Sequence, residues 1–141
     1  MTDDQQAPPA DDDPPEVQAA GRTARAKLDL LREYCDLPDS ADFNPCVLVR
    51  LADEAAAADL WLRVLAVDGD SFAAEVTEVP DGFTGYAPGD AVLVPPEDVR
   101  DWVVNDDGDL HGGFTLRLQR AALPPEEQPG FDEALGVRKY R

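Results

Sequence analysis

Apolar residues recur along this chain first at helical and then at extended spacing. Between about Val17 and Leu37, Ala24, Leu28, Leu31 and Cys35 follow at steps of four, three and four, which is one stripe of an α-helix. Leu30 and Tyr34 widen the stripe, and Arg22, Arg25, Arg32 and Glu33 form the polar face. Pro38 stops the helix, because its ring disfavours helical geometry in the residue before it. From Cys46 the period shortens. Cys46–Leu51, Leu60–Val67, Phe72–Val79 and Ala91–Val94 are short apolar runs rich in β-branched residues, and each predicts a strand.

The punctuation agrees with those runs. Asp68-Gly69-Asp70 predicts a hairpin between the second and third strands, since Asp and Gly tolerate positive φ. The alanines after Asp53-Glu54 predict a loop or a single turn, being too few to nucleate a helix. Pro80–Asp90 is loop, and Pro95-Pro96 ends the fourth strand ahead of a helical turn at Glu97–Arg100. Trp102-Val103-Val104 is extended, Asn105–Asp109 is a second hairpin turn, and Gly113–Arg120 alternates Phe114, Leu116 and Leu118 with polar residues, which predicts a last strand. Phe131–Leu135 suits one short helix. The sum is an α+β fold: one N-terminal amphipathic helix packed on a strongly bent antiparallel sheet or small open barrel of five to six short strands.

Composition sets the boundaries. The 141 residues suit one domain with tails. Residues 1–20 hold six acids, no base and four prolines, and predict a disordered acidic tail. Residues 21–122 form the domain, and 123–141 a polar extension. With 30 Asp and Glu against 12 Lys and Arg, the formal charge of −18 argues against direct binding to a nucleic-acid backbone. Acid in place of a basic leader at Met1-Thr2-Asp3-Asp4, and the lack of an apolar run of about 18 residues, predict a cytoplasmic chain with no membrane span. Ten of the bases are Arg and two are Lys; a G- and C-rich genome and a high-salt habitat explain this equally well.

Chemistry is sparse. Cys35 and Cys46 lack CxxC spacing and a sufficient set of His partners for zinc, and are expected as free thiols. The one histidine, His111, stands beside a turn, no glycine-rich loop opens a helix, and Asp106, Asp107 and Asp109 lack the spacing of a calcium loop. No cofactor is expected. Trp61 and Trp102 are the aromatic anchors, and Trp102 has polar neighbours.

In order, Ala24-Arg25, Leu60-Trp61-Leu62-Arg63-Val64, Gly69-Asp70-Ser71-Phe72, Pro80, Pro88-Gly89-Asp90-Ala91-Val92, Val99-Arg100-Asp101-Trp102 and Gly112–Arg117 resemble the bacterial YegJ-like domain of unknown function. That family comprises small proteins and also occurs appended to other modules, such as ankyrin repeats. Two departures stand out. Ala74–Val79, immediately ahead of Pro80, holds neither the Gly nor the Asn that the family often shows there, and Val103-Val104 follows the Asp-Trp pair where an aromatic residue or Met is common. The resemblance implies a fold family and carries no established activity.

The expectation is a non-catalytic binding or regulatory module for a protein partner or small ligand. Its candidate surface is Asp101, Trp102, Gly112, Gly113, Thr115 and Arg117, with Thr115 and Arg117 on one face of the last strand. An Asp101–Arg117 ion pair around Trp102 would make this a structural clip or the floor of a site. The alternatives are a carboxylate- or metal-dependent hydrolase near Asp98, Asp101 and His111, and an acidic nucleic-acid mimic.

Overall fold

A computed structural model describes residues 14–54 and 56–141. The expected tail therefore lies outside the described residues up to position 13, and residues 15–20 are already helical. Helix α1 spans Pro15–Ala26, with Pro15 at its first turn, where a missing N–H costs nothing, and Glu16 beside the positive helix end. It does not continue into the next apolar turn. At Lys27 the backbone leaves helical geometry (φ −115°, ψ 20°), and α2 begins afresh at Leu28–Cys35. The single expected helix is thus two. The break has a visible cause: the Ala24 carbonyl takes the Lys27 N–H in a tightened bond and also the indole N–H of Trp102.

Seven strands follow: β1 (Cys46–Ala52), β2 (Ala57–Asp68), β3 (Ser71–Val76), β4 (Ala91–Val94), β5 (Asp101–Asp106), β6 (Asp109–Gly112) and β7 (Lys139–Tyr140). They make one sheet in the order β4-β3-β2-β1-β5-β6-β7, which is open and not a barrel. All neighbours are antiparallel except β6 and β7. Both hairpin turns form where Asp-Gly predicts them: Gly69 has φ +62°, and Asp107 and Gly108 have φ +52° and +95°. A single 3-10 turn at Pro96–Asp98 stands before β5.

The expected last strand is corrected. Residues Phe114–Ala121 form helix α3, not a strand. The C-terminal segment carries helix α4 (Gln128–Leu135), over the stretch where a short helix is expected at Phe131–Leu135, and β7, which adds the parallel strand at the sheet edge.

The two faces of the sheet are covered differently. On one, Ala24, Leu28 and Leu31 of α1 and α2 bury against Val47, Leu62, Phe72, Val76, Trp102 and Val104. On the other, Leu116 packs with Leu110 and Val137, and Trp61, Val103, Phe131 and Tyr140 close around them. No helix of the described residues is long and apolar enough to cross a membrane.

Candidate functional site

Asp101 opens β5 and is fully buried. Its carboxylate accepts hydrogen bonds from the backbone N–H groups of Trp102 (2.8 Å), Phe114 (3.0 Å) and Thr115 (2.8 Å) and from the Thr115 hydroxyl (2.5 Å). Two of those amides belong to the first turn of α3, whose orphan donors need an acceptor. Asp101 is therefore the N-terminal cap of a helix thirteen residues downstream. Burial pushes its carboxyl above the usual aspartate range, and the bonds from Thr115, Trp102 and Phe114 oppose that shift.

Trp102 points to the opposite face and is also fully buried. Its indole Nε1 donates to the Ala24 carbonyl at 3.0 Å, its own carbonyl accepts the Gly113 N–H at 2.6 Å, and Phe114 meets its ring edge-on. Gly112 must lack a side chain: a Cβ there would stand 2.2 Å from the Trp102 carbonyl oxygen, at φ +76°. Gly113 follows in the left-handed region and starts α3.

Five of the six sequence-predicted residues are thus brought together: Asp101, Trp102, Gly112, Gly113 and Thr115. Arg117 does not join them as an ion pair. Its guanidinium donates to the carbonyls of Gly112 (3.0 Å) and Arg141 (2.7 Å) and lies over the rings of Phe114 and Tyr140, holding the C-terminal strand in place. With α3 a helix, Thr115 and Arg117 no longer share a strand face.

The residues of the hydrolase alternative are not assembled. Asp98 lies exposed on the 3-10 turn. His111 pairs with Val104, so alternation puts its side chain on the opposite face from Asp101. There its Nε2 meets the Tyr34 hydroxyl at 3.2 Å, and that hydroxyl donates to Asp106 at 3.0 Å. Among the described residues no three His, Cys, Asp or Glu side chains gather where they would hold a metal ion. Cys35 and Cys46 are free thiols, each pushed up to about 11 by burial.

Beside the buried clip lies a cleft of about 470 Å³. Helix α1 forms one wall and α3 the other, and Leu48, Asp59, Trp61 and Arg100 form the floor. Thr115 is the member of the predicted set that reaches it. Three of the groups around the cleft are arginines. Gly21 makes room for them: a Cβ there would stand 3.2 Å from the Arg25 guanidinium and 3.5 Å from the Arg100 carbonyl oxygen. Arg25 donates to the Val99 carbonyl at 3.0 Å, and Arg22, one turn earlier, is exposed. On the floor Asp59 takes Arg50 at 2.8 Å and Arg100 at 3.4 Å. Desolvation lowers the pKa of Arg100 from its ordinary value.

Sequence reasoning placed Arg22 and Arg25 on a solvated helix face and Trp61 in the core. A signal for the cleft is present nonetheless. Residues 17–28 contain Arg22, Arg25 and Lys27, and residues 110–125 contain Arg117 and Arg120, and neither stretch holds an acid in a chain with 30 of them. The fold packs these two stretches side by side as α1 and α3.

Comparison with known proteins bears on the whole domain. An ankyrin repeat protein of Neisseria meningitidis serogroup B is 30% identical to this chain over 78 residues, which are 55% of the chain and 31% of that protein. The chain thus matches about a third of the length of this curated relative. No solved structure matches. The family model of an uncharacterized protein conserved in bacteria matches residues 43–138, from the turn before β1 to the start of β7, and the chain belongs to that family, DUF2314.

Proposed function

We propose that this domain is a non-catalytic binding module and that its ligand site is the cleft between α1 and α3. The carrying observation is the cleft itself. Its volume of about 470 Å³ falls in the range of small-molecule sites, and it sets polar groups (Arg22, Arg25, Thr115) beside an apolar wall of Trp61 and Leu118. In this reading Asp101, Trp102, Gly112 and Gly113 are the rigid frame. Asp101 fixes the start of α3, Trp102 fixes the end of α1, and the two walls therefore keep a set separation. Arg117 ties the C-terminal strand to the same frame.

The modular reading also draws on the relative, where a stretch of about a third of that protein resembles this domain within a protein named for ankyrin repeats.

A ligand screen followed by amide NMR tests the proposal. Binders are expected to shift residues of α1, α3 and the Trp61 strand. Binders that instead map to the uncovered face of β3 and β4 would overturn it.

A further inference from the structure

The chain is strongly acidic, yet the cleft is not. Around it stand Arg22, Arg25 and Arg100, with Arg50 just behind, and among the described residues Asp59 is the one carboxylate that lines it. Asp101 is sealed beneath Thr115 with its oxygens turned to the start of α3. Arg50 and Arg100 both pair with Asp59 on the floor, and Arg22 and Arg25 stand on the α1 wall beside them, in a chain of net charge −18. Two guanidinium-bearing side chains set side by side on one wall of a half-enclosed cleft, Arg22 and Arg25, favour an anion between them.

The donors are arranged for such an anion. Arg22 and Arg25 lie three residues apart on α1, one above the other on the same face. One Arg25 nitrogen is committed to the Val99 carbonyl. A guanidinium has five N–H donors in a planar fork, so the rest of that fork can take a carboxylate or phosphate in two parallel bonds. Trp61 and Leu118 line the same cleft and offer an apolar surface next to the charged one.

Resting on the reading of this cleft as the ligand site, we infer that its ligand is a small organic anion. A carboxylate or phosphate headgroup sits between Arg22 and Arg25, and an apolar body lies against Trp61. The concavity favours a small molecule over a protein side chain presented from a flat surface.

Phenyl phosphate, benzoate, inorganic phosphate, benzyl alcohol and benzylamine, titrated into the full chain at low salt, test this. Trp61 emission and amide NMR shifts are the readouts, and Trp61→Phe identifies which tryptophan reports. Phenyl phosphate or benzoate should bind at the cleft at least tenfold more tightly than benzyl alcohol or benzylamine. The better of the two identifies the headgroup, and inorganic phosphate shows what the headgroup contributes alone. Arg22→Gln, at an exposed position that leaves the fold intact, should weaken the anion about tenfold, and Arg22→Glu should weaken it further. If the neutral and cationic probes shift the same cleft residues equally well, the anion class falls while the cleft stands as the ligand site. If no probe shifts any cleft residue, both readings fall.

Discussion

The indole Nε1 of Trp102 donates to the carbonyl oxygen of Ala24 at 3.0 Å, across 78 positions of sequence. This bond joins the strand that anchors α3 to the place where α1 ends. It occupies a carbonyl that a continuous helix would keep for itself, and the first apolar stripe therefore becomes two helices. Trp102→Phe keeps an aromatic filler but removes the donor and part of the volume. It should cost about 2 kcal/mol or more in urea denaturation. A loss below about 0.5 kcal/mol would show that the indole bond does not hold α1.

Asp101 predicts an unusual pH response. Burial raises its folded-state pKa above the ordinary value of 3.8, outweighing the hydrogen bonds from Thr115, Trp102 and Phe114. The folded chain then binds this proton more tightly than the unfolded chain. The contribution of Asp101 is greatest below the ordinary aspartate range and falls as pH rises through the folded pKa. The stability advantage of the native protein over Asp101→Asn should accordingly narrow as pH is raised from about 3.5 towards 7. Paired urea melts across that range measure the gap. A gap that widens would mean that the four donors outweigh burial.

Two glycines with similar backbone angles should respond very differently to alanine. Gly69 has φ +62° and open space around the absent Cβ, so Gly69→Ala costs only the left-handed strain of about 1–2 kcal/mol. Gly112 has φ +76°, and its Cβ would collide with backbone at Trp102. Gly112→Ala adds a displacement of β5 from β6 and should cost about 3 kcal/mol or more, seen as poor soluble yield or a low melting temperature. Equal costs at the two positions would remove the close approach of Gly112 to Trp102 as a determinant of the fold.

How much of this was visible in the residues follows from range. The hairpins at Asp68-Gly69 and Asp107-Gly108 are local, because their turn chemistry lies within four residues, and both form where the sequence predicts them. Helix α3 is not local. Phe114, Leu116 and Leu118 alternate like a strand, and what makes the segment helical is a cap supplied by Asp101 from another strand. The same holds for the break at Lys27, which depends on Trp102, and for β7, which exists only because β6 offers it an edge. The set Asp101, Trp102, Gly112, Gly113 and Thr115 was legible as a group, since a turn and its glycines announce close approach. The cleft beside it was not, because Arg22, Arg25 and Asp59 are remote in sequence and ordinary on a helix face or strand.

The two thiols should be inert in the folded protein. Burial pushes both Cys35 and Cys46 up to about 11, from an ordinary value of 9.0. The raised pKa leaves a smaller thiolate fraction near neutral pH, and the thiolate is the reactive form. Iodoacetamide at mildly alkaline pH should label both residues slowly in the native protein and rapidly in urea, as read by mass spectrometry. Native rates near those of free cysteine would contradict the burial of both sulfurs.

The acidic N-terminal residues should tune the cleft through charge alone. Asp3, Asp4, Asp11, Asp12 and Asp13 precede α1, the helix that carries Arg22 and Arg25. Five negative charges so close in sequence to those arginines are expected to weaken their attraction for an anion, an effect that salt screens over about 10 Å at 0.1 M. Replacing all five with asparagine in the full chain should therefore tighten phenyl phosphate or benzoate binding severalfold at low ionic strength. The difference from the native chain should shrink as sodium chloride is raised towards about 0.5 M, where the screening length is shorter. Calorimetric titrations at three salt concentrations give the comparison. An affinity that is unchanged by the five substitutions at low salt would place these charges too far from the cleft to act on it. An increase that persists at high salt would point to a direct contact between that segment and the arginines.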